Sequence, residues 1–329
     1  MNMDVLLAAL VEQKGSDLFI TVDAPPTLKV NGRLVSLGPA PLDKTTALAL
    51  IRESLDETHF ERFLHTREAN YAIQRGSLGR FRVSAFWQQD MPGMVLRRIE
   101  TRIPTFDELV LPPILQEVAM AKRGLVLFVG ATGAGKSTTQ AAMIGFRNQH
   151  GDGHILTVED PVEFVHQHDR CLVTQREVGI DTASFDVALK NSLRQAPDVI
   201  LIGEIRSQET MEFAIQFAET GHLCLATLHA NNANQALDRI LHLVPQEKHR
   251  QFLFDLSFNL RAIVAQQLLP SAHGQRRVAA FEILLNTPLV TDIIRKGEMH
   301  RLKEVMTKSG ELGMQTFDQA LFTLFCAGQ

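Results

Sequence analysis

The sequence contains little cysteine. Its 329 residues include three cysteines, Cys171, Cys224 and Cys326, which lie far apart and form no C-x-x-C pair. This spacing excludes a disulfide framework and a cysteine-type zinc module, so we expect reduced thiols in the cytosol.

Long apolar runs and an excess of basic residues are also missing. The longest apolar stretches, such as Gly124–Gly130 and Val199–Gly203, have only the length of a strand, and the N terminus lacks the basic region of a secretory signal. The chain has 33 Lys and Arg against 37 Asp and Glu, which argues against a protein that mainly coats nucleic acid. Apolar residues make up 45% of the chain, and its length suits two domains. We therefore expect a cytosolic, globular protein of two domains.

The pattern of elements changes along the chain. Residues 1–100 predict a small α+β domain with an antiparallel sheet, in which Asn31-Gly32 is the turn of a hairpin. Residues 101–113 contain three prolines and predict a linker or hinge. Residues 114–270 alternate apolar strands with helices, which is typical of a parallel α/β sheet. Residues 271–329 are expected to form a mostly helical C-terminal subdomain.

A complete phosphate-binding motif follows the apolar run that begins at Gly124. Its residues are Gly130, Ala131, Thr132, Gly133, Ala134, Gly135, Lys136, Ser137 and Thr138. Such glycines let main-chain N–H groups surround phosphate oxygens, and the following helix adds its partial positive charge. We predict that Lys136 reaches the β- and γ-phosphates of ATP and that Ser137 is a ligand of Mg²⁺.

Carboxylates follow two later apolar strands. Glu159, Asp160 and Glu163 come after the second strand, and Glu204 comes directly after Val199–Gly203. Since the carboxyl ends of parallel strands meet at one edge of the sheet, we expect these groups to converge on the phosphate loop. We assign Glu204 to the magnesium ion and its waters and Glu163 to the attacking water. The alternative for each is a solvated loop residue.

Two histidines flank the strand Leu223–Thr227, with His222 before it and His229 after it. A histidine beside a strand end is more often structural. We nevertheless predict that both act as sensors of the γ-phosphate, since they adjoin the expected nucleotide edge. Metal binding is disfavoured because no third ligand has suitable spacing.

The window from residue 75 to residue 102 contains six arginines and two acidic residues. Arg80 and Arg82 alternate onto one face of a strand, and Arg97 lies on the next strand. We predict that these arginines contact the γ-phosphate, across a subunit boundary, from a domain that lacks the phosphate loop. A solvated sheet face and a nucleic-acid patch are the alternatives.

Four boxes in order resemble those of the secretion ATPase superfamily. They are the Walker A motif at 130–138, an Asp box at 155–166, a Walker B box at 193–204 and a His box at 220–232. The whole chain is similar to the type IV pilus retraction ATPases, the PilT and PilU family. The resemblance implies a PAS-like N-terminal domain, a RecA-like ATPase domain and a homohexamer that uses ATP and Mg²⁺ without zinc or nucleic acid. It implies the same roles for Lys136, Glu163, Glu204, His222 and His229, and arginine contacts from Arg80, Arg82 and Arg97.

The resemblance also predicts the biological role. The segment Leu284–Lys296 resembles the PilU branch of the family, which favours an accessory motor that depends on a PilT-like paralogue at the inner-membrane platform. The chain ends soon after Phe325, and we expect the natural protein to continue. The alternatives are a pilus assembly or type II secretion ATPase, and a ring subunit that binds nucleotide but barely hydrolyses it. Assembly and secretion ATPases commonly carry a four-cysteine zinc insertion, which this chain lacks.

Overall fold

A computed structural model describes residues 2–99, 102–272 and 277–329. The chain folds into two compact units, Met1–Arg102 and Ile103–Gln329. No helix within the described ranges is long and apolar enough to span a bilayer.

The first unit is an α+β domain built on one antiparallel sheet. Its elements are α1 (Met3–Glu12), β1 (Asp17–Thr21), β2 (Thr27–Val30), β3 (Arg33–Ser36), α2 (Lys44–Ser54), α3 (Glu57–Thr66), β4 (Glu68–Gln74), β5 (Arg80–Gln88) and β6 (Met91–Ile99). The strands are ordered β3-β2-β1-β6-β5-β4. Asn31 and Gly32 both have positive φ, as the tight turn between β2 and β3 requires.

The second unit is an α/β domain with a seven-stranded sheet. Its elements are α4 (Phe106–Leu109), α5 (Ile114–Ala119), β7 (Gly124–Val129), α6 (Lys136–His150), β8 (Gly153–Glu159), β9 (Cys171–Glu177), α7 (Phe185–Ser192), β10 (Val199–Ile202), α8 (Gln208–Glu219), β11 (Leu223–Leu228), α9 (Ala233–Leu243), α10 (His249–Asn259), β12 (Leu260–Pro270), β13 (Arg277–Leu285), α11 (Pro288–Lys296), α12 (Leu302–Lys308) and α13 (Phe317–Cys326). The strands are ordered β13-β12-β7-β11-β10-β8-β9, and only the β12–β13 pair is antiparallel.

The central strand β7 is buried on both faces. Leu125 and Leu127 pack into the hydrophobic core on one side of the sheet, whereas Val126 and Phe128 pack into the core on the other side. Burial of both faces explains why this strand is a continuous apolar run without alternation. Because β7 runs parallel to its neighbours β11 and β12, the loop that follows it lies at the carboxyl edge of these strands.

The structure differs from the predicted linker at 101–113. Thr101 lies outside the described residues, and the remainder from Ile103 belongs to the second unit. Phe106 and Leu111 are buried in its core, and the Phe106 ring lies 5.1 Å from that of Phe146 on α6. The prolines separate short helical turns that pack on the α/β domain, so this segment is part of the domain rather than a spacer.

The predicted boundary at 271 also differs from the structure. Strand β13 pairs with β12 along nine residue pairs and forms one edge of the seven-stranded sheet. Helices α11 and α12 bury Ile293 and Leu302 in the same core as β7. The C-terminal residues that the structure describes therefore complete the α/β domain, because their apolar side chains pack into its core.

Candidate active site

The phosphate loop connects the end of β7 to the first residue of α6. Gly133 and Gly135 have φ of +79° and +87°, values that residues with a Cβ rarely adopt. At Gly130, a Cβ would lie 2.5 Å from the main-chain oxygen of Gln266 on the neighbouring strand β12. These three positions therefore require glycine, and the loop leads directly into the fifteen-residue helix α6, whose N terminus favours bound anions.

Lys136 is buried at the first position of α6. Its Nζ donates hydrogen bonds to the carbonyl oxygens of Gly130 and Ala131, at 2.8 and 2.9 Å. Burial lowers the pKa of Lys136, while the carboxylates of Glu204 and Glu163 act in the opposite direction. The ammonium is therefore held beneath the phosphate loop, between the loop carbonyls and two acidic side chains.

Glu204 is fixed by two partners just after β10. Its Oε2 accepts from Arg206 Nε and Nη2, at 2.8 and 2.7 Å, and its Oε1 lies 2.8 Å from His229 Nε2. His229 follows the adjacent parallel strand β11. The carboxylate and the imidazole thus meet at the carboxyl edge of the sheet, as the strand order requires.

One cavity of about 190 Å³ gathers the groups that the sequence predicted for catalysis. Lys136, Ser137, Glu163, Glu204 and His229 all line it. Its remaining lining residues include Thr132, Gly133, Gln140, Thr157, Glu159, Asp160, His166 and Thr227. Four hydroxyls, four acidic side chains and a lysine in one cavity form a set of groups suited to hold polyphosphate and a hard cation such as Mg²⁺.

His222 lies at the wrong end of its strand for a nucleotide sensor in its own chain. It precedes β11, and its carbonyl oxygen accepts from Gly124 N at the amino end of β7. The six residues of β11 place this end roughly 20 Å from the phosphate-loop edge. His222 Nδ1 instead lies 3.1 Å from both Thr220 Oγ1 and Phe217 O, where it closes the C terminus of α8.

The three arginines lie on the sheet of the first unit. Arg82 on β5 is directly opposite Arg97 on β6, and Arg80 lies two residues from Arg82 on the same strand. Arg97 Nε donates to Oδ1 of the buried Asp17 at 2.8 Å. The shared face predicted for these side chains is present, and Arg97 additionally neutralises a buried carboxylate.

Glu159 contributes to the site in a way that sequence analysis did not assign. Burial raises its pKa to about 7, while Thr157 and Gln175 donate hydrogen bonds that act in the opposite direction. In the sequence, the signal for such a role was the position of Glu159 at the end of an apolar strand. Its neighbours on β9 were not predictable, because that strand was not recognised.

We expect the ionisation of Glu159 to destabilise the nucleotide-free protein. Its pKa of about 7 in the folded state exceeds the ordinary 4.5, so between these values the folded state keeps a proton that the unfolded state has lost. The free energy of unfolding should fall as pH rises through this window, by at most about 3 kcal/mol. Urea denaturation from pH 4.5 to 8 measures it. Glu159→Gln should remove this part of the slope, the exposed Glu311→Gln should keep it, and equal slopes in all three proteins would contradict the prediction.

Three comparisons with known proteins agree with this geometry. The model of the Type II/IV secretion system protein family matches residues 64–314. The type IV pilus ATPase PilU of Pseudomonas aeruginosa is 59% identical, and the match covers 100% of this chain and 86% of PilU. The pilus retraction ATPase PilT of the same organism is 38% identical, and the match covers 100% of this chain and 95% of PilT. The crystal structure of the pilus retraction motor PilT with bound ADP superimposes with a TM-score of 0.93 at 36% identity, covering 99% of this chain and 93% of that one.

The fold and the site define a P-loop ATPase with a RecA-like domain, preceded by a smaller α+β domain of the PAS-like kind and completed by C-terminal helices. The chain belongs to the Type II/IV secretion system protein family, and within it the chain is a PilU-like ATP hydrolase.

Proposed function

We propose that this protein is a hexameric, Mg²⁺-dependent ATPase that powers or assists the retraction of type IV pili, and thereby twitching motility. The observation that carries the proposal is the convergence of Lys136, Glu163, Glu204 and His229 on one cavity, in a chain with full-length similarity to PilU. An ATPase of this kind works at the cytoplasmic face of the inner membrane, beside a PilT-like paralogue and the pilus platform.

In the proposed mechanism each group of the cavity has one task. The loop from Gly130 to Thr138 holds the phosphates, and Lys136 exchanges its carbonyl partners for phosphate oxygens. Ser137 and, through water, Glu204 would hold Mg²⁺, which neutralises phosphate charge. Glu163 orients the attacking water. His229, in contact with Glu204, responds to the γ-phosphate.

A second cavity, of about 580 Å³, suits the nucleoside end of ATP. It adjoins Thr138 at the start of α6, and its lining includes Leu109, Leu111, Leu268 and Val278. Apolar side chains beside a phosphate loop are suited to contact a flat nucleotide base. The polyphosphate would then occupy the charged cavity around Lys136.

A trans contribution from the arginines predicts complementation between two inactive variants. Arg82 is the better test, because Arg97→Ala would also leave the buried Asp17 without its cation. We expect Lys136→Ala and Arg82→Ala each to be inactive and their mixture to recover ATP turnover, since some junctions then combine an intact phosphate loop with an intact arginine. Arg62→Ala, on an exposed surface of the same unit, should remain active alone. Mixed hexamers that stay inactive would show that Arg82 does not act in trans.

The proposed cellular role is tested by deleting the gene in its host, with and without the PilT-like paralogue, and scoring pilus retraction. A PilU-like accessory role predicts weaker retraction when this gene is deleted and no retraction when the PilT-like paralogue is deleted and only this protein remains. Loss of assembled pili in the single deletion, rather than weaker retraction of pili that still assemble, would favour the assembly ATPase.

A further inference from the structure

We propose that Gln175 is a positioning residue for ATP hydrolysis, which holds the loop that carries Glu163. This loop, residues 160–166, is called the Glu163 loop below. The inference rests on the proposed role of Glu163 as the group that orients the attacking water.

Gln175 lies on β9 and binds the Glu163 loop at two main-chain groups. Its Nε2 donates to the carbonyl oxygen of Phe164 at 2.8 Å, and its Oε1 accepts from the main-chain N–H of His166 at 2.8 Å. Two residues further along β9, Glu177 Oε2 accepts from the N–H of Val162 at 3.2 Å. Side chains of one strand therefore hold the loop on both sides of Glu163.

Glu159 connects this arrangement to the neighbouring strand β8. Gln175 Nε2 also donates to Glu159 Oε1 at 3.3 Å, and Thr157 Oγ1 donates to the same oxygen at 2.6 Å. Because Thr157 and Gln175 are register partners in the parallel β8–β9 pair, these contacts follow from the sheet itself.

The physical consequence concerns the aim of the Glu163 carboxylate. Glu163 lies on a loop, and loops are held less firmly than the strands that flank them. Gln175 uses both N–H donors of its amide and its carbonyl oxygen on this loop and its support. Without the Gln175 side chain, the Glu163 loop should lose its fixed position. This loss should affect the orientation of the attacking water more than the binding of ATP.

Gln175→Ala should lower kcat by about 10²-fold, the loss expected when a catalytic group is displaced by about 1 Å. The dissociation constant for ATP should change by less than about threefold, because the phosphate loop is untouched. Gln175→Glu, which keeps the acceptor for His166 and removes both donated bonds, should also slow turnover. Thr174→Ala is the matched control, since this exposed neighbour on β9 contacts His154 rather than the loop.

The decisive experiment is a double-mutant cycle with Glu163→Gln. If Gln175 acts through Glu163, adding Gln175→Ala to Glu163→Gln should lower the rate by no more than about threefold further. A full additional loss of about 10²-fold, or an equal loss of ATP affinity and kcat, would overturn the positioning role. Wild-type turnover in Glu163→Gln alone would instead refute the proposed role of Glu163, so the two failures are distinguishable.

Discussion

Lys136→Ala should abolish ATP turnover, with a loss of at least about 10²-fold, while the protein keeps its fold. Lys136 is the cation beneath the phosphate loop, and the loss of one such group from a preorganised site typically has this effect. Among the residues that the structure describes, its side chain hydrogen-bonds to the carbonyls of the phosphate loop, and it belongs to neither hydrophobic core of the domain, so its removal should leave these cores intact. Phosphate release at saturating ATP and thermal denaturation measure the two parts of the prediction.

The exposed Lys190→Ala, on α7 of the same domain, is the control for the general loss of a positive charge. Normal steady-state hydrolysis in folded Lys136→Ala protein would be incompatible with the assignment of the loop.

Glu204→Ala should permit ATP binding and slow hydrolysis by about 10²–10³-fold, because the cost falls on the charge that develops in the transition state. The carboxylate is also the common partner of Arg206 and His229. Glu204→Gln keeps the size and one acceptor, and we expect it to be nearly as slow, since the negative charge is lost.

Nucleotide affinity and single-turnover rates separate binding from chemistry in these variants. Glu209→Gln, an exposed change in the first turn of α8, should behave as wild type. An equal loss of affinity and rate in Glu204→Ala would indicate a structural role for Glu204 instead.

The phosphate loop was predictable because all of its determinants are local. A buried strand, glycines at the positions with positive φ and a lysine at the start of a helix are adjacent in the sequence. The convergence of Glu204 and His229 followed from one further rule, that carboxyl ends of parallel strands share an edge. In the structure His229 Nε2 lies 2.8 Å from Glu204 Oε1, in agreement with this rule.

Other features depend on pairings that no local pattern reveals. Strand β9 alternates between buried and exposed positions at the edge of the sheet, so it lacks the continuous apolar run of β7 or β10. Without β9, the support that Gln175 gives to the Glu163 loop could not be deduced. The prediction for His222 fails for a different reason: a residue beside a strand lies near the nucleotide only at the carboxyl end, and His222 precedes β11 at its amino end.

The most direct test of the central claim is phosphate release by the purified wild-type protein at saturating ATP, measured as Mg²⁺ is titrated from zero. Hydrolysis at the cavity around Lys136, Glu163 and Glu204 predicts phosphate release that requires Mg²⁺. The rate per subunit should rise with protein concentration as rings assemble. ATP binding without Mg²⁺-dependent phosphate release at any protein concentration would contradict the account and identify a ring subunit that binds nucleotide without hydrolysing it.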